Sequence, residues 1–175
     1  MRSLLASRRS FLRILTALSL FLGMALVTPT AFAGQKAPEF TLKDMNGKTV
    51  SLSDYRGKVV LLTFWATWCT PCKAEMPHLQ RMYQNLKSDG LVIVGISIDD
   101  AKMASKIKPT VKSKKLTYPI LLDPETEVVS LFNPSKNVPF SVLINRAGEI
   151  DKTHAGYKPG DEVELEKEIK ALLKK

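Results

Sequence analysis

Apolar residues change period several times along this chain, and each change predicts an element. Phe40-Thr41-Leu42 and Thr49-Val50-Ser51-Leu52 alternate apolar with polar positions on either side of Asn46-Gly47. Alternation around such a turn predicts a β-hairpin. Lys58 to Trp65 and Leu91 to Ile98 are nearly unbroken apolar runs, the pattern of central strands covered on both faces. Between them Met76, Leu79, Met82, Tyr83 and Leu86 recur at steps of three and four. Residues 70–87 therefore predict a helix with one apolar stripe. Two buried strands joined by such a helix make a βαβ unit with parallel strands.

Residues 101–115 predict a lysine-rich helix, limited or bent at Pro109, with its lysines on a solvated outer face. Tyr118 to Leu122 reads as a strand, Glu125 to Phe132 as a short helix and Phe140 to Ile144 as another strand. Arg146-Ala147-Gly148 turns that strand back into residues 149–154. A closing helix covers residues 161–173, with Val163, Leu165, Ile169, Leu172 and Leu173 largely on one side. No repeat, low-complexity tract or second domain interrupts the pattern. The class is α/β, and 175 residues suffice for one domain with a proper core.

The front of the chain follows a different pattern. A basic stretch reaches Arg13, an apolar stretch runs from Ile14 to Val27, and Ala31-Phe32-Ala33 puts small residues where a signal peptidase cuts. Residues 1–33 are thus expected to be a signal peptide, leaving residues 34–175 as the mature domain. The apolar stretch spans about 21 Å as a helix, against ~30 Å of bilayer hydrocarbon. A retained inner-membrane anchor that borrows residues 28–33 is the alternative. Ser7-Arg8-Arg9-Ser10-Phe11-Leu12-Arg13 resembles a twin-arginine export motif. Either export route predicts a periplasmic location, where disulfides persist.

Composition adds less. The formal charge is +9, and the four arginines of the leader account for much of it; without them the chain carries +5. A mildly basic surface favours acidic partners or anionic membrane surfaces. Aromatic residues are not interleaved with the basic ones, which argues against nucleic-acid binding.

The candidate chemistry rests on two cysteines, Cys69 and Cys72, the only ones present. They follow an apolar strand and open a helix, and a bridge between them cannot belong to a larger disulfide framework. Pro71 suits the first helical turn, where no N–H is needed. Cys69 then lies at the helix mouth, where free N–H groups and the positive end of the dipole stabilise a thiolate. Such placement lowers a thiol pKa from ~8.5 into the range ~3.5–7.5. Cys69 is accordingly expected to be the attacking and more exposed sulfur, and Cys72 the one that resolves the mixed disulfide. Half a metal site and an inert bridge are the competing readings. Zinc wants four ligands, and neither His78 nor His154 is joined to the cysteines by spacing.

The residues around the pair resemble a known family. Ala37 to Leu42, Gly47-Lys48, Gly57 to Val60 and above all Phe64-Trp65-Ala66-Thr67-Trp68-Cys69-Thr70-Pro71-Cys72-Lys73-Ala74-Glu75-Met76-Pro77 are similar to the ResA/TlpA-like thioredoxins. The resemblance extends over the mature chain through Val138-Pro139 and Gly156-Tyr157. It implies a thioredoxin fold: a central mixed sheet flanked by helices, an N-terminal hairpin and a central helical insertion. It also implies reduction of protein disulfides close to a membrane, among them apocytochrome c thiols awaiting haem, with electrons supplied by a membrane thiol carrier. No organic cofactor or metal is required.

The resemblance carries residue roles as well. It implies that Val138-Pro139 is a cis peptide beside the cysteines, leaving backbone groups free for an extended substrate. Trp68, Thr70 and Pro71 complete the expected substrate-contacting set, while Trp65 is expected in the core. Thr63 stands where cytosolic thioredoxins carry a buried aspartate, and threonine cannot exchange a proton as a carboxylate does. Glu75 is the expected substitute, moving the proton of Cys72; a surface glutamate is the plainer alternative. Pro77 is expected to kink its helix, and His78 to be exposed polar filler or a neighbour that perturbs Glu75.

Three other functions remain open from the residues. A thiol oxidant or disulfide isomerase uses the same cysteines, since potentials in this fold run from ~−270 to ~−120 mV. A peroxidase of the peroxiredoxin kind needs Thr-x-x-Cys, whereas Thr67 is two residues from Cys69. A copper-delivery module would need a histidine to complete the site, with His154 the candidate.

Overall fold

The computed structural model describes residues 34–175. The expected signal segment, its twin-arginine motif and the anchor alternative lie outside the described residues. Seven strands form one mixed sheet in the order β2-β1-β5-β4-β3-β6-β7. They are β1 (Thr41–Asp44), β2 (Thr49–Ser51), β3 (Val59–Trp65), β4 (Leu91–Ser97), β5 (Ile120–Leu122), β6 (Phe140–Ile144) and β7 (Ile150–Ala155). The helices are α1 (Thr70–Leu86), α2 (Ala104–Ser113), α3 (Glu127–Phe132) and α4 (Asp161–Leu173), with short 3₁₀ turns at Leu52–Tyr55 and Lys87–Asp89. This is the thioredoxin-like α/β fold with an N-terminal hairpin.

The hairpin closes around Asp44, whose Oδ1 accepts from the backbone N–H groups of Asn46 at 2.8 Å and Lys48 at 2.9 Å. Gly47 takes φ +83° at its tip, a region that costs a residue with a Cβ. Every residue of β3 is buried, as a strand covered on both faces requires. β3 pairs in parallel with β4 and antiparallel with β6. Gly95 of β4 lets the layers close up. A Cβ there would meet Ile120 Cδ1 at 2.8 Å, Tyr118 Cε2 at 3.1 Å and Trp65 Nε1 at 3.2 Å.

α1 buries Met76, Leu79, Met82 and Leu86, the stripe expected from the spacing. α4 buries Leu165, Ile169 and Leu172 and packs on α1 and β3. Val163 departs from expectation: it is 69% exposed. At 100° per residue it sits about 160° around the helix from Leu165, so its apolar character does not place it on the core face. α2 is shorter than its lysine-rich stretch and stays helical through Pro109, burying only Ile107 and Val111.

Candidate active site

The strand directions bring the site together. The C-terminal ends of β3 and β4 and the N-terminal end of β6 lie at one edge of the sheet, where Phe64 pairs with Phe140 and Trp65 with Ser97. Cys69 leaves β3 at this edge, Asp99 leaves β4, and Pro139 precedes β6. The Val138–Pro139 peptide is cis, and the Pro139 carbonyl accepts from Gly156 N at 2.8 Å, tying it to the loop after β7.

Cys69 and Cys72 are joined by a disulfide with Cα atoms 5.3 Å apart. Cys69 is the N-cap of α1, and its Sγ accepts from Cys72 N at 3.2 Å. One of the free N–H groups of the helix start therefore already points at that sulfur, the arrangement that favours a thiolate once the bridge opens. Both cysteines are buried, at 4% and 2% exposed. The expected difference in exposure between the two sulfurs is thus small; what distinguishes Cys69 is its position at the helix mouth. Trp68 is 58% exposed beside them, Thr70 and Pro71 are exposed, Val138 is half-buried and Pro139 buried. Trp65 is in the core, as expected.

Asp99 is the residue that sequence reasoning missed. It is 3% exposed, and its carboxylate accepts from Thr67 N at 2.9 and 3.1 Å, Thr67 Oγ1 at 2.7 Å and Ser97 Oγ at 2.8 Å. The loop between β3 and Cys69 is thus braced from β4. A buried carboxylate is tolerated because its lone pairs are satisfied. Thr67 Oγ1 is committed to this brace, which removes it from a peroxidase-like role at Cys69. The only available signal was an Asp at the end of an apolar strand, which by itself reads as a turn.

Glu75, one turn beyond Cys72, is 7% exposed and is therefore no surface residue. Burial first, then the carboxylates of Asp161 and Glu162, push its pKa up from 4.5 to about 7. It opens into a cleft of about 400 Å3 between β7 and α4, which Tyr157, Asp161 and Glu162 also line. Its field reaches the buried Tyr118, whose pKa is raised by burial first and then by Glu75. Thr63 is buried in β3 opposite Ser141 and Gly95, with no carboxylate in its place. His78 is not solvent filler. Its Nδ1 lies 3.2 Å from Glu162 Oε1 and 2.8 Å from Arg81 Nη2, and it is half-buried. His154, also on the cleft, bonds Glu168 at 2.8 Å through Nε2 and so joins β7 to α4.

The model of the AhpC/TSA family matches residues 33–153. The chain belongs to the AhpC/TSA family. Among members of this redoxin group, thiol-disulfide oxidoreductase ResA of Bacillus subtilis (strain 168) is 37% identical over 158 residues, 85% of this chain and 86% of that protein. ResA of Geobacillus kaustophilus (strain HTA426) is 34% identical over 131 residues, 75% of this chain and 74% of the relative. Two redoxin crystal structures extend the likeness to three dimensions. A Chlorobium tepidum protein assigned as a thiol:disulfide interchange protein DsbE has a TM-score of 0.74 at 35% identity, covering 81% of this chain and 97% of its own. StoA of Bacillus subtilis has a TM-score of 0.61 at 30% identity, covering 74% and 95%. This redoxin is a ResA-like thiol–disulfide oxidoreductase with a redox-active Cys-x-x-Cys pair.

Proposed function

We propose that the protein is an exported reductant of disulfides in other proteins, with apocytochrome c among its substrates. The observation that carries the cycle is Cys69 at the N-cap of α1 with the Cys72 N–H aimed at its sulfur. In the reduced protein the Cys69 thiolate attacks one sulfur of a substrate disulfide, forming a mixed disulfide and expelling the other sulfur as a thiolate. Cys72 then loses its proton and attacks Cys69 Sγ, releasing the substrate as a dithiol and closing the Cys69–Cys72 bridge. Two electrons pass from protein to substrate. Glu75 takes the Cys72 proton, and a carboxyl that titrates near 7 is suited to take and return it.

Trp68, Thr70, Pro71, Val138 and Pro139 form the face that meets the substrate: the first three flank the cysteines along the chain, and Val138-Pro139 leads into β6, whose start pairs with the end of β3. Residues 1–33 act as the export signal, and a membrane thiol carrier resets the bridge; the basic n-region, the apolar stretch and the Ala31-Phe32-Ala33 site support the first of these. The periplasm is the compartment this reading requires.

The test is a Cys72→Ala trap expressed in a cytochrome-producing bacterium, because the mixed disulfide then cannot resolve. Apocytochrome c held through its haem-binding cysteines is the expected capture. Recovery only of proteins awaiting oxidation would reverse the direction and make the protein a thiol oxidant.

A further inference from the structure

The cleft between β7 and α4 holds an arrangement that the cysteine cycle alone does not explain. Glu75 forms its floor, nine-tenths buried, with no hydrogen-bond or ion-pair partner among the described residues. The charged groups that act on its carboxyl are of the same sign. Asp161 and Glu162 open α4 and line the same cleft. We propose that Asp161 and Glu162 are positioning residues that help Glu75 take the Cys72 proton and keep it while the Cys69–Cys72 bridge is closed.

Their own surroundings make them fixed charges. Glu162 Oε2 accepts from Tyr157 Oη at 2.9 Å and from Gly160 N at 2.8 Å, while its Oε1 faces His78 Nδ1 at 3.2 Å. Asp161 Oδ2 accepts from Lys158 N at 2.8 Å. Neither can swing away from Glu75 without giving up these bonds. Both residues lie in the first turn of α4, beside the positive end of its dipole. The Glu162 carboxyl is held below its ordinary value by its own backbone N–H first, then by the Gly160 N–H, the Tyr157 hydroxyl and the field of His78.

Among the described residues, no cationic side chain pairs with Glu75. On β7, His154 is engaged by Glu168. In the loop before α4, the Tyr157 hydroxyl donates to Glu162, and Lys158 takes part through its backbone. On α1, His78 is shared between Glu162 and Arg81. Glu164 also lines the cleft, and the buried Tyr118 feels the field of Glu75. Two pinned negative charges disfavour a third, so the proton stays on Glu75. The open cleft gives that proton a way to exchange with solvent.

The inference rests on the reading of Glu75 as the proton partner of Cys72, and its test separates the two. In the oxidised full-length protein with ¹³C-labelled glutamate, the Glu75 carboxyl is titrated by NMR and assigned by its loss in Glu75→Gln. Asp161→Asn and Glu162→Gln should each move its midpoint acidwards by about half a pH unit, and the pair by about one. The acid limb of the pH–rate profile for disulfide reduction should move with it. Glu164→Gln should leave the midpoint in place. Asp161→Asn spares the Tyr157 and His78 contacts, so its result does not depend on how Glu162→Gln folds. A wild-type midpoint near 4.5 would overturn both this inference and the role of Glu75. A midpoint near neutrality that neither substitution moves would overturn the inference alone.

Discussion

Replacing Glu75 with glutamine should stabilise the oxidised protein at alkaline pH and do little at acid pH. The carboxyl titrates near 7 in the folded chain against 4.5 for the ordinary group. Between those values the folded state binds more protons than the unfolded one, so stability falls as pH rises through that window. At pH 8 the ionised, buried carboxylate costs about 3 kcal/mol relative to its unfolded reference, and at pH 5 under about 1 kcal/mol. Glutamine fills nearly the same volume and has no charge to bury. Urea unfolding at the two pH values measures the difference directly. The variant should gain about 2 kcal/mol more over wild type at pH 8 than at pH 5, taking the linkage figures as an upper scale. Disulfide reduction should meanwhile slow by about a hundredfold, because Cys72 loses its proton partner. An offset that is the same at both pH values would refute the reasoning, since it would mean that Glu75 carries no perturbed proton when folded.

Three further substitutions probe what holds the site in place. Asp99→Ala leaves the Thr67 N–H and two hydroxyls without their acceptor and should cost about 1–3 kcal/mol in urea unfolding, with slower alkylation of Cys69 in the reduced protein as its loop loosens. Gly95→Ala puts a methyl 2.8 Å from Ile120 Cδ1 and should cost about 1–3 kcal/mol, read as a lower Tm. The Arg146 guanidinium donates to the carbonyls of Gly57, Asp89 and Leu173 at 3.0–3.2 Å, so Arg146→Ala should lower Tm while leaving the potential of the cysteine pair unchanged.

Much of the architecture was legible because it is written at short range. The unbroken apolar runs became β3 and β4 in parallel register, and the three- and four-residue steps of Met76, Leu79, Met82 and Leu86 became the buried face of α1. Val163 shows where such reading fails: an apolar side chain near the start of α4 was grouped with the stripe, although its angle turns it to solvent. His78 failed for another reason. A histidine on an exposed-looking turn carries no sign of the Glu162 that reaches it from α4.

The cysteine spacing, the proline after Cys69 and the strand before it lie within a dozen residues, and the helix mouth that activates a sulfur needs nothing more distant. Those features were therefore determined as soon as the order of residues was known. The burial of Glu75 near other carboxylates, the Asp99 brace on a loop 32 residues away and the pairing that sets the start of β6 against the end of β3 belong to a different scale. Each depends on groups from separate strands and helices meeting at one edge of the sheet, and on water being excluded there. Burial and the fields of fixed charges arise from many surfaces packed together, so they come into being only when the chain has folded.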